Sequence, residues 1–193
     1  PEAIPSILSE ALAVSFDQHI GHDYLGQTDE RFDYYHRVEE RLKFDLQYFN
    51  RITKGGLPPK TLNVALAGTG VGKSLFMCHV ASSMLTQGRN VLYITLEMAE
   101  ERIAERIDAN LLDCTIDELY EMPKKYYDSK VKRLQSKVQG QLIIKEYPTA
   151  AAHAGHFKSL IDELALKKSF KPDIIFVDYL NICASSRYRA GSN

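Results

Sequence analysis

The sequence predicts an α/β domain built on a mostly parallel sheet with helices on both faces. Short apolar runs at 62–66, 91–94, 142–144 and 174–177 alternate along the chain with segments of helical periodicity. Strands that are apolar on both faces require cover on both sides, as in a parallel sheet. The first of these runs leads directly into a glycine-rich turn. The alternation therefore predicts the fold class, and the turn predicts where its functional edge lies.

The chain ahead of the first apolar run shows shorter helical patterns. A helix within residues 1–20 is expected to bury an apolar stripe, either on its own domain or on a neighbouring subunit. We expect Thr28 to cap a helix that reaches Tyr35, and Asp45 to cap one that reaches Thr53. An edge strand is expected at 43–44. The stripe of the first helix consists of Ile4, Ile7, Leu8, Ala11 and Leu12.

The later helices follow from apolar spacing and from start and stop signals. A helix is predicted at about 73–87, where Gly88 stops it, and a second at about 99–112. Thr115 and Glu118 have the spacing of a capping box, and Pro123 opens a helix to about residue 138. A last helix is predicted from an inward-facing set formed by Phe157, Leu160, Ile161 and Leu164.

The glycine-rich turn has the spacing of a phosphate-binding P-loop. Its glycines allow successive backbone N–H groups to face an anion at the start of a helix. Lys73 is predicted to reach the β- and γ-phosphates, and the Ser74 hydroxyl to bind Mg²⁺. A flexible turn between strand and helix is the alternative, and Ala67 departs from the strict pattern, which has glycine there. The predicted nucleotide-binding residues are Ala67, Gly68, Thr69, Gly70, Val71, Gly72, Lys73 and Ser74.

Two acidic residues follow apolar strands. Asp178 ends the last run as a Walker B aspartate does, and it is predicted to hold Mg²⁺ through a water molecule beside Ser74. Glu97 is the candidate general base for the water that attacks the γ-phosphate, with Lys73 as its catalytic partner. Otherwise, Asp178 is a surface acid at a strand end and Glu97 an acid favoured by the dipole of the next helix.

Composition and the remaining polar residues limit the possible partners, metal sites and locations of the protein. The net charge of −1 gives no global basic field for nucleic acid. Three widely spaced cysteines suggest a reducing compartment and no metal pair. The pair His153 and His156 is interpreted as part of a loop rather than a metal site. No run is long enough to span a bilayer, and no signal peptide is recognisable.

The chain resembles the RecA-like ATPase domain of DnaB-type replicative hexameric helicases, in the form used by T-even bacteriophages. The resemblance is carried by the P-loop, Leu96-Glu97-Met98 and Val177-Asp178-Tyr179-Leu180. It implies a RecA-like P-loop NTPase truncated after the Walker B strand, with a helical linker at 1–41 and the incomplete ATPase core at 42–193.

Several partners are implied by the resemblance alone. ATP and Mg²⁺ would bind between identical subunits of a hexameric ring, with an arginine finger supplied by the next subunit from sequence beyond Asn193. Single-stranded DNA would thread the ring, and a primase and a helicase loader would bind it. Arg187 and Arg189 fall where the family's first DNA-binding loop begins, although a solvated basic tail is equally compatible with them.

The resulting interpretation is an ATP-dependent helicase fragment that is nearly inactive alone and works in the cytoplasm, that of the host if a phage encodes it. A recombinase-type or clock-type RecA-like ATPase is the first alternative. A loader or adaptor that binds ATP as a switch, without unwinding, is the second.

Overall fold

The computed structural model describes residues 21–185. The chain divides between Glu40 and Arg41 into two compact units. Of the first unit, residues 21–40 are described and contain helix α1, Thr28–His36. The second unit contains, in order, α2 Gln47–Ile52, α3 Lys73–Thr86, β1 Val91–Thr95, α4 Glu100–Leu111, α5 Ile116–Glu121, α6 Lys124–Gln135, β2 Leu142–Glu146, α7 Ala154–Lys168, β3 Ile174–Asp178 and a 3₁₀ turn, Leu180–Ile182. The amphipathic helix expected within residues 1–20 lies outside the described residues.

The described strands form a three-stranded parallel sheet in the order β2-β1-β3. The register pairs Val91 with Leu142 on one side and with Ile174 on the other. All three strands therefore end at one edge, where Thr95 lies opposite Asp178. This arrangement confirms the predicted fold class, with helices linking parallel strands.

Helices cover both faces of the sheet. On one face, Val91 and Tyr93 pack with α3 and with Ile103 and Ile107 of α4. On the other face, Leu92 and Ile94 pack with Leu164 of α7 and with the residues around it. All residues of β1 are buried, as expected for the central strand of a doubly covered sheet. The predicted inward face of α7 is thus confirmed.

The apolar run at 62–66 forms no strand, which corrects the prediction made for it. Residues 61–70 are all exposed, and the side chains of Leu62 and Leu66 are 90% and 94% exposed. A strand persists only where a neighbour takes its backbone hydrogen bonds and other layers cover its faces. In the described sheet β3 is an edge strand that pairs only with β1, and its Ile175 side chain is 41% exposed, so the run does not pair with β3 either. Within residues 21–185 the run has no partner strand, and its exposure leaves its side chains uncovered.

The segment before this run is held by local contacts. Leu42 and Leu57 form an isolated antiparallel bridge where an edge strand was predicted at 43–44. The Asn50 side chain accepts from the backbone N–H of Phe44 and donates to its carbonyl oxygen, at 2.8 and 2.6 Å. Phe49 contacts Phe44 and Phe76 of α3, with ring centroids 5.4 and 5.2 Å apart. These contacts attach the segment to α3.

The predicted helix ends were right in part. Thr115 and Glu118 form the predicted capping box of α5, and Gly88, at φ 80°, follows the end of α3. Thr28 is the first residue of α1 and not its cap, and Leu46, not Asp45, precedes α2. Neither helix has a side-chain cap. The Asp45 carboxylate instead lies 2.8 Å from Nε2 of His79 on α3.

No helix in residues 21–185 has the length and apolar character needed to cross a bilayer.

Candidate nucleotide-binding site

The glycine-rich turn leads directly into α3. The Val71 N–H donates to the Gly68 carbonyl oxygen over 3.4 Å, which closes the turn. Gly70 and Gly72 have φ angles of 77° and 102°, a region that side chains with a Cβ adopt at a cost. A Cβ built on either glycine meets no atom within 4 Å, so the space beside the loop is open. The loop is thus exposed and accessible to a ligand.

Lys73, the first residue of α3, contacts the end of β3. Its Nζ lies 3.2 Å from Oδ1 of Asp178 and 3.8 Å from the centroid of the Tyr179 ring. The Asp178 side chain is 3% exposed and that of Lys73 is 22% exposed. A buried carboxylate is strongly destabilising unless a positive charge and hydrogen bonds compensate it. Lys73 supplies that charge, so the structure brings together two predicted site residues that are far apart in sequence.

Asp178 has a second partner within the sheet. The hydroxyl of Tyr93, on the neighbouring strand β1, donates to Oδ2 of Asp178 at 3.0 Å. The Cys78 thiol donates in turn to the Tyr93 oxygen over 3.9 Å. Burial raises the pKa of Tyr93 far above its ordinary value, and burial likewise raises the pKa of Cys78. Both groups are therefore protonated donors at neutral pH.

Glu97 lies in the turn that follows β1. The Thr95 hydroxyl donates to the Met98 carbonyl oxygen at 2.8 Å and accepts from the Met98 N–H at 3.1 Å. These two bonds fix the turn and leave the Glu97 side chain exposed. Because the Leu96 N–H donates to the Asp178 carbonyl oxygen at 2.9 Å, Glu97 lies at the same sheet edge as Asp178. No described residue forms an ion pair with Glu97, so its carboxylate is available to a ligand or to water.

Magnesium is the metal that a P-loop site implies, and the residues present fit it. Oδ1 of Asp178 is buried, and apart from the Lys73 ammonium group at 3.2 Å no described residue bonds to it. It is therefore a hard oxygen donor with unused acceptor capacity, which Mg²⁺ prefers. Ser74, half-buried, is the second residue of α3 and lies next to Lys73.

Other predicted polar residues do not join this site. His153 caps α7 by accepting from the Gly155 N–H, and His156 accepts from the His153 N–H, so the pair has a structural role at a helix start. No group of three or more potential metal-ligating side chains occurs in residues 21–185. Arg187 and Arg189 lie outside the described residues.

Three residues of this edge were missed by the sequence analysis. Tyr93 reads as one more large residue of a buried strand, Thr95 as a β-branched strand residue, and Tyr179 as part of a loop. Only the register, which pairs Thr95 with Asp178, brings these residues to the same end of the sheet as the Asp178 carboxylate. Polar atoms at the carboxyl end of a predicted parallel strand were the signal that could have found them.

A parallel α/β sheet with a glycine turn, a lysine at the start of a helix and a buried aspartate at the neighbouring strand tip defines the RecA-like P-loop class. The profile of the DnaB-like helicase C-terminal domain matches residues 42–193. The chain belongs to this DnaB-like helicase family. It is 47% identical over 193 residues to the DnaB-like replicative helicase of Enterobacteria phage T4, covering 98% of this chain and 41% of that protein.

Two further comparisons agree. A "Probable plasmid replicative DNA helicase" of Chlamydia psittaci is 26% identical over 164 residues, which is 79% of this chain and 35% of that protein. The solved structure of a DnaB-like replicative helicase, described with its interactions with primase, matches with a TM-score of 0.64 at 14% identity. That match covers 98% of this chain and 45% of the other, and it shows a shared fold. The chain thus spans less than half the length of the relatives that it matches.

Proposed function

We propose that this chain forms the ATP-binding part of a replicative DNA helicase. The whole protein would couple ATP hydrolysis to movement along single-stranded DNA and to unwinding of the duplex. The observation that carries the proposal is the contact of Lys73, which directly follows an open glycine turn, with the buried Asp178, at the sheet edge that also carries Glu97. Residues 1–41 would serve as the linker and 42–193 as the amino-terminal part of the motor domain.

Binding would begin with an exchange of partners at Lys73. In the structure, its ammonium group neutralises Asp178 across 3.2 Å. Phosphate oxygens that enter the open space beside Gly70 and Gly72 attract the same ammonium group and the N–H groups at the start of α3. As Lys73 turns toward them, Oδ1 of Asp178 loses its counter-charge. A cation held by Asp178 and Ser74 would restore it, and bound Mg²⁺ would neutralise charge on the phosphate oxygens.

Glu97 would act on the attacking water. Its carboxylate is exposed at the strand tip next to Asp178 and has no described ion-pair partner, so it can accept a proton from water. The Thr95 hydroxyl holds the turn that carries it. An arginine from a neighbouring subunit would stabilise the negative charge that develops in the transition state. This would raise the rate of hydrolysis by about 10³–10⁵-fold. Hydrolysis by the isolated chain is therefore expected to be nearly absent.

The assembly and its partners belong to the same proposal. We propose a ring of identical subunits around single-stranded DNA, by analogy with the helicase family to which the chain belongs. The likeness to a helicase described with primase supports a primase partner. A helicase loader would place the ring on DNA. We expect such a motor to work where replication takes place, in the cytoplasm, which is that of the host cell if a phage encodes the protein.

The test is ATP turnover, stimulated by single-stranded DNA, in the full-length protein that carries this chain. Glu97→Gln should lower turnover about 100-fold or more while nucleotide affinity is kept, because only proton transfer is lost. Glu101→Gln is the matched control, since it removes an exposed carboxylate from the first turn of α4. Unchanged turnover in Glu97→Gln would refute the role of Glu97, and nucleotide binding without turnover in the unaltered protein would favour a loader or switch.

A further inference from the structure

Tyr93 is a large polar residue at the centre of the sheet. Its side chain is fully buried, its neighbours in register are Ile144 and Phe176, and its ring stacks on that of Phe176 with centroids 5.6 Å apart. Phenylalanine would fill the same space. The hydroxyl group is therefore not needed for packing, and burying it without a partner would be destabilising. The hydrogen-bond partner of the hydroxyl group therefore indicates its role.

The hydroxyl donates its single hydrogen to Oδ2 of Asp178 at 3.0 Å. A hydrogen bond to a charged acceptor is about twice as strong as one between neutral groups. It restrains rotation of the carboxylate, so that Oδ2 faces the sheet interior and Oδ1 faces Lys73. The Cys78 thiol, 3.9 Å from the phenol oxygen, restrains the hydroxyl in the same orientation. The two carboxylate oxygens are thereby given different tasks.

We propose that Tyr93 is a positioning residue, whose hydroxyl holds the Asp178 carboxylate so that Oδ1 is presented to the magnesium ion of bound ATP. The inference rests on the proposed function, because it assumes that Asp178 faces a metal–nucleotide complex. Tyr93 itself touches neither the nucleotide nor the metal. It acts from the far side of the carboxylate, much as outer hydrogen-bond partners orient metal ligands elsewhere.

The test measures how nucleotide binding by the 193-residue chain depends on Mg²⁺. A fluorescent ATP analogue is titrated at increasing Mg²⁺ concentrations, with Tyr93→Phe compared with the unaltered chain. Losing an outer partner of a metal ligand lowers metal affinity about 10-fold or more. Tyr93→Phe should therefore raise the Mg²⁺ concentration at half-maximal binding by about 10-fold, and analogue binding in the absence of Mg²⁺ should not change.

Tyr127→Phe is the matched control. Its hydroxyl donates to Asp108 at 2.9 Å, a comparable tyrosine–aspartate bond between α6 and α4. It should leave the Mg²⁺ dependence unchanged. In a chain that already carries Asp178→Asn, adding Tyr93→Phe should not raise the Mg²⁺ concentration at half-maximal binding any further, since the carboxylate that Tyr93 orients is gone.

Three outcomes would overturn the inference. An unchanged Mg²⁺ dependence in Tyr93→Phe, with the unaltered chain binding the analogue, would refute Tyr93 alone and leave the proposed function standing. Failure of both Tyr93→Phe and Tyr93→Met to fold, judged by circular dichroism, would show that the hydroxyl serves the fold. If the unaltered chain binds no analogue at any Mg²⁺ concentration, the proposed function itself fails, and the inference with it.

Discussion

Thr95 shows how a single hydroxyl shapes the candidate site. It is fully buried at the end of β1 and satisfies both the N–H and the carbonyl group of Met98. A buried backbone group without a partner costs about 1–3 kcal/mol. The turn that carries Glu97 therefore depends on this side chain more than on any preference of its own residues.

Replacing Thr95 by valine keeps the shape of the side chain and removes the hydroxyl. We expect Thr95→Val to lower the free energy of unfolding by about 1–3 kcal/mol, because the Met98 backbone loses its partner. Urea unfolding followed by circular dichroism measures the change. Thr86→Val is the control, since the Thr86 hydroxyl bonds only the Ser83 carbonyl at the end of α3. Equal losses in the two variants would contradict the role given to Thr95.

The residues of the site were predictable to different degrees. Lys73, Ser74 and Asp178 follow from local patterns, because a glycine turn before a helix and an acid after an apolar strand are visible in sequence. The contact of Lys73 with Asp178 and the bond from Tyr93 to Asp178 are not visible in this way. They depend on which strands are neighbours and on the register between them. The periodicity of the sequence indicates neither the strand order nor the register.

At the scale of elements, the segment around the Leu42–Leu57 bridge depends on one close backbone approach. Gly56 has a φ of 118°, and a Cβ there would lie 2.3 Å from the Leu42 carbonyl oxygen. Leu42 and Leu57 exchange backbone hydrogen bonds of 2.9 and 2.8 Å beside it. Any larger residue at position 56 must push the backbone at Leu42 away from the backbone at Leu57. The same segment carries the aromatic contacts with α3, so these contacts would be disturbed as well.

We therefore expect Gly56→Ala to destabilise the fold by about 2 kcal/mol or more, as the clash adds to the strain of a positive φ. Gly88→Ala is the matched control. Gly88 also has a positive φ, of 80°, but a Cβ there would lie 3.8 Å from its nearest neighbour, the Gln139 Cβ. Its cost should be close to that of the left-handed conformation alone, about 1–2 kcal/mol. Thermal unfolding compares the two, and an equal or greater loss in Gly88→Ala would refute the argument from close approach.

Elements differ in how well their sequences predict them. The helices and strands from α3 to β3 were predicted well because each has a periodic apolar face that the sheet and its layers bury. The run at 62–66 has apolar residues too, but burial depends on neighbours that its own sequence does not contain. The cap predicted at Asp45 was wrong for a related reason, since the Asp45 carboxylate contacts His79, a residue distant in sequence.

At the scale of the whole molecule, apolar side chains are exposed along residues 62–66. Leu62, Val64 and Leu66 are 90%, 75% and 94% exposed. Contiguous exposed apolar residues and open strand edges both favour association between chains. We therefore expect the chain to associate increasingly as its concentration rises.

The double variant Leu62→Gln with Leu66→Gln should shift sedimentation toward the monomer without changing the helix content. Analytical ultracentrifugation over a range of concentrations measures this shift. Leu166→Gln, which alters a leucine 86% exposed on α7, is the control and should leave association unchanged. If the double variant associates as the unaltered chain does, the exposed run is not the contact surface.

The central claim is that the turn before α3, with Lys73 and Asp178, binds a nucleotide triphosphate with magnesium. Titration of the 193-residue chain with a fluorescent ATP analogue and Mg²⁺ tests it most directly, with circular dichroism confirming that each variant is folded. We predict saturable binding that excess ATP displaces. We also predict that binding is at least about 10-fold weaker in Lys73→Ala, since a charged contact to phosphate is worth about 1.5–3 kcal/mol. Binding should be unchanged in the control Lys158→Ala, which alters an exposed lysine of α7. No binding by the unaltered chain, or equal binding by a folded Lys73→Ala variant, would contradict it.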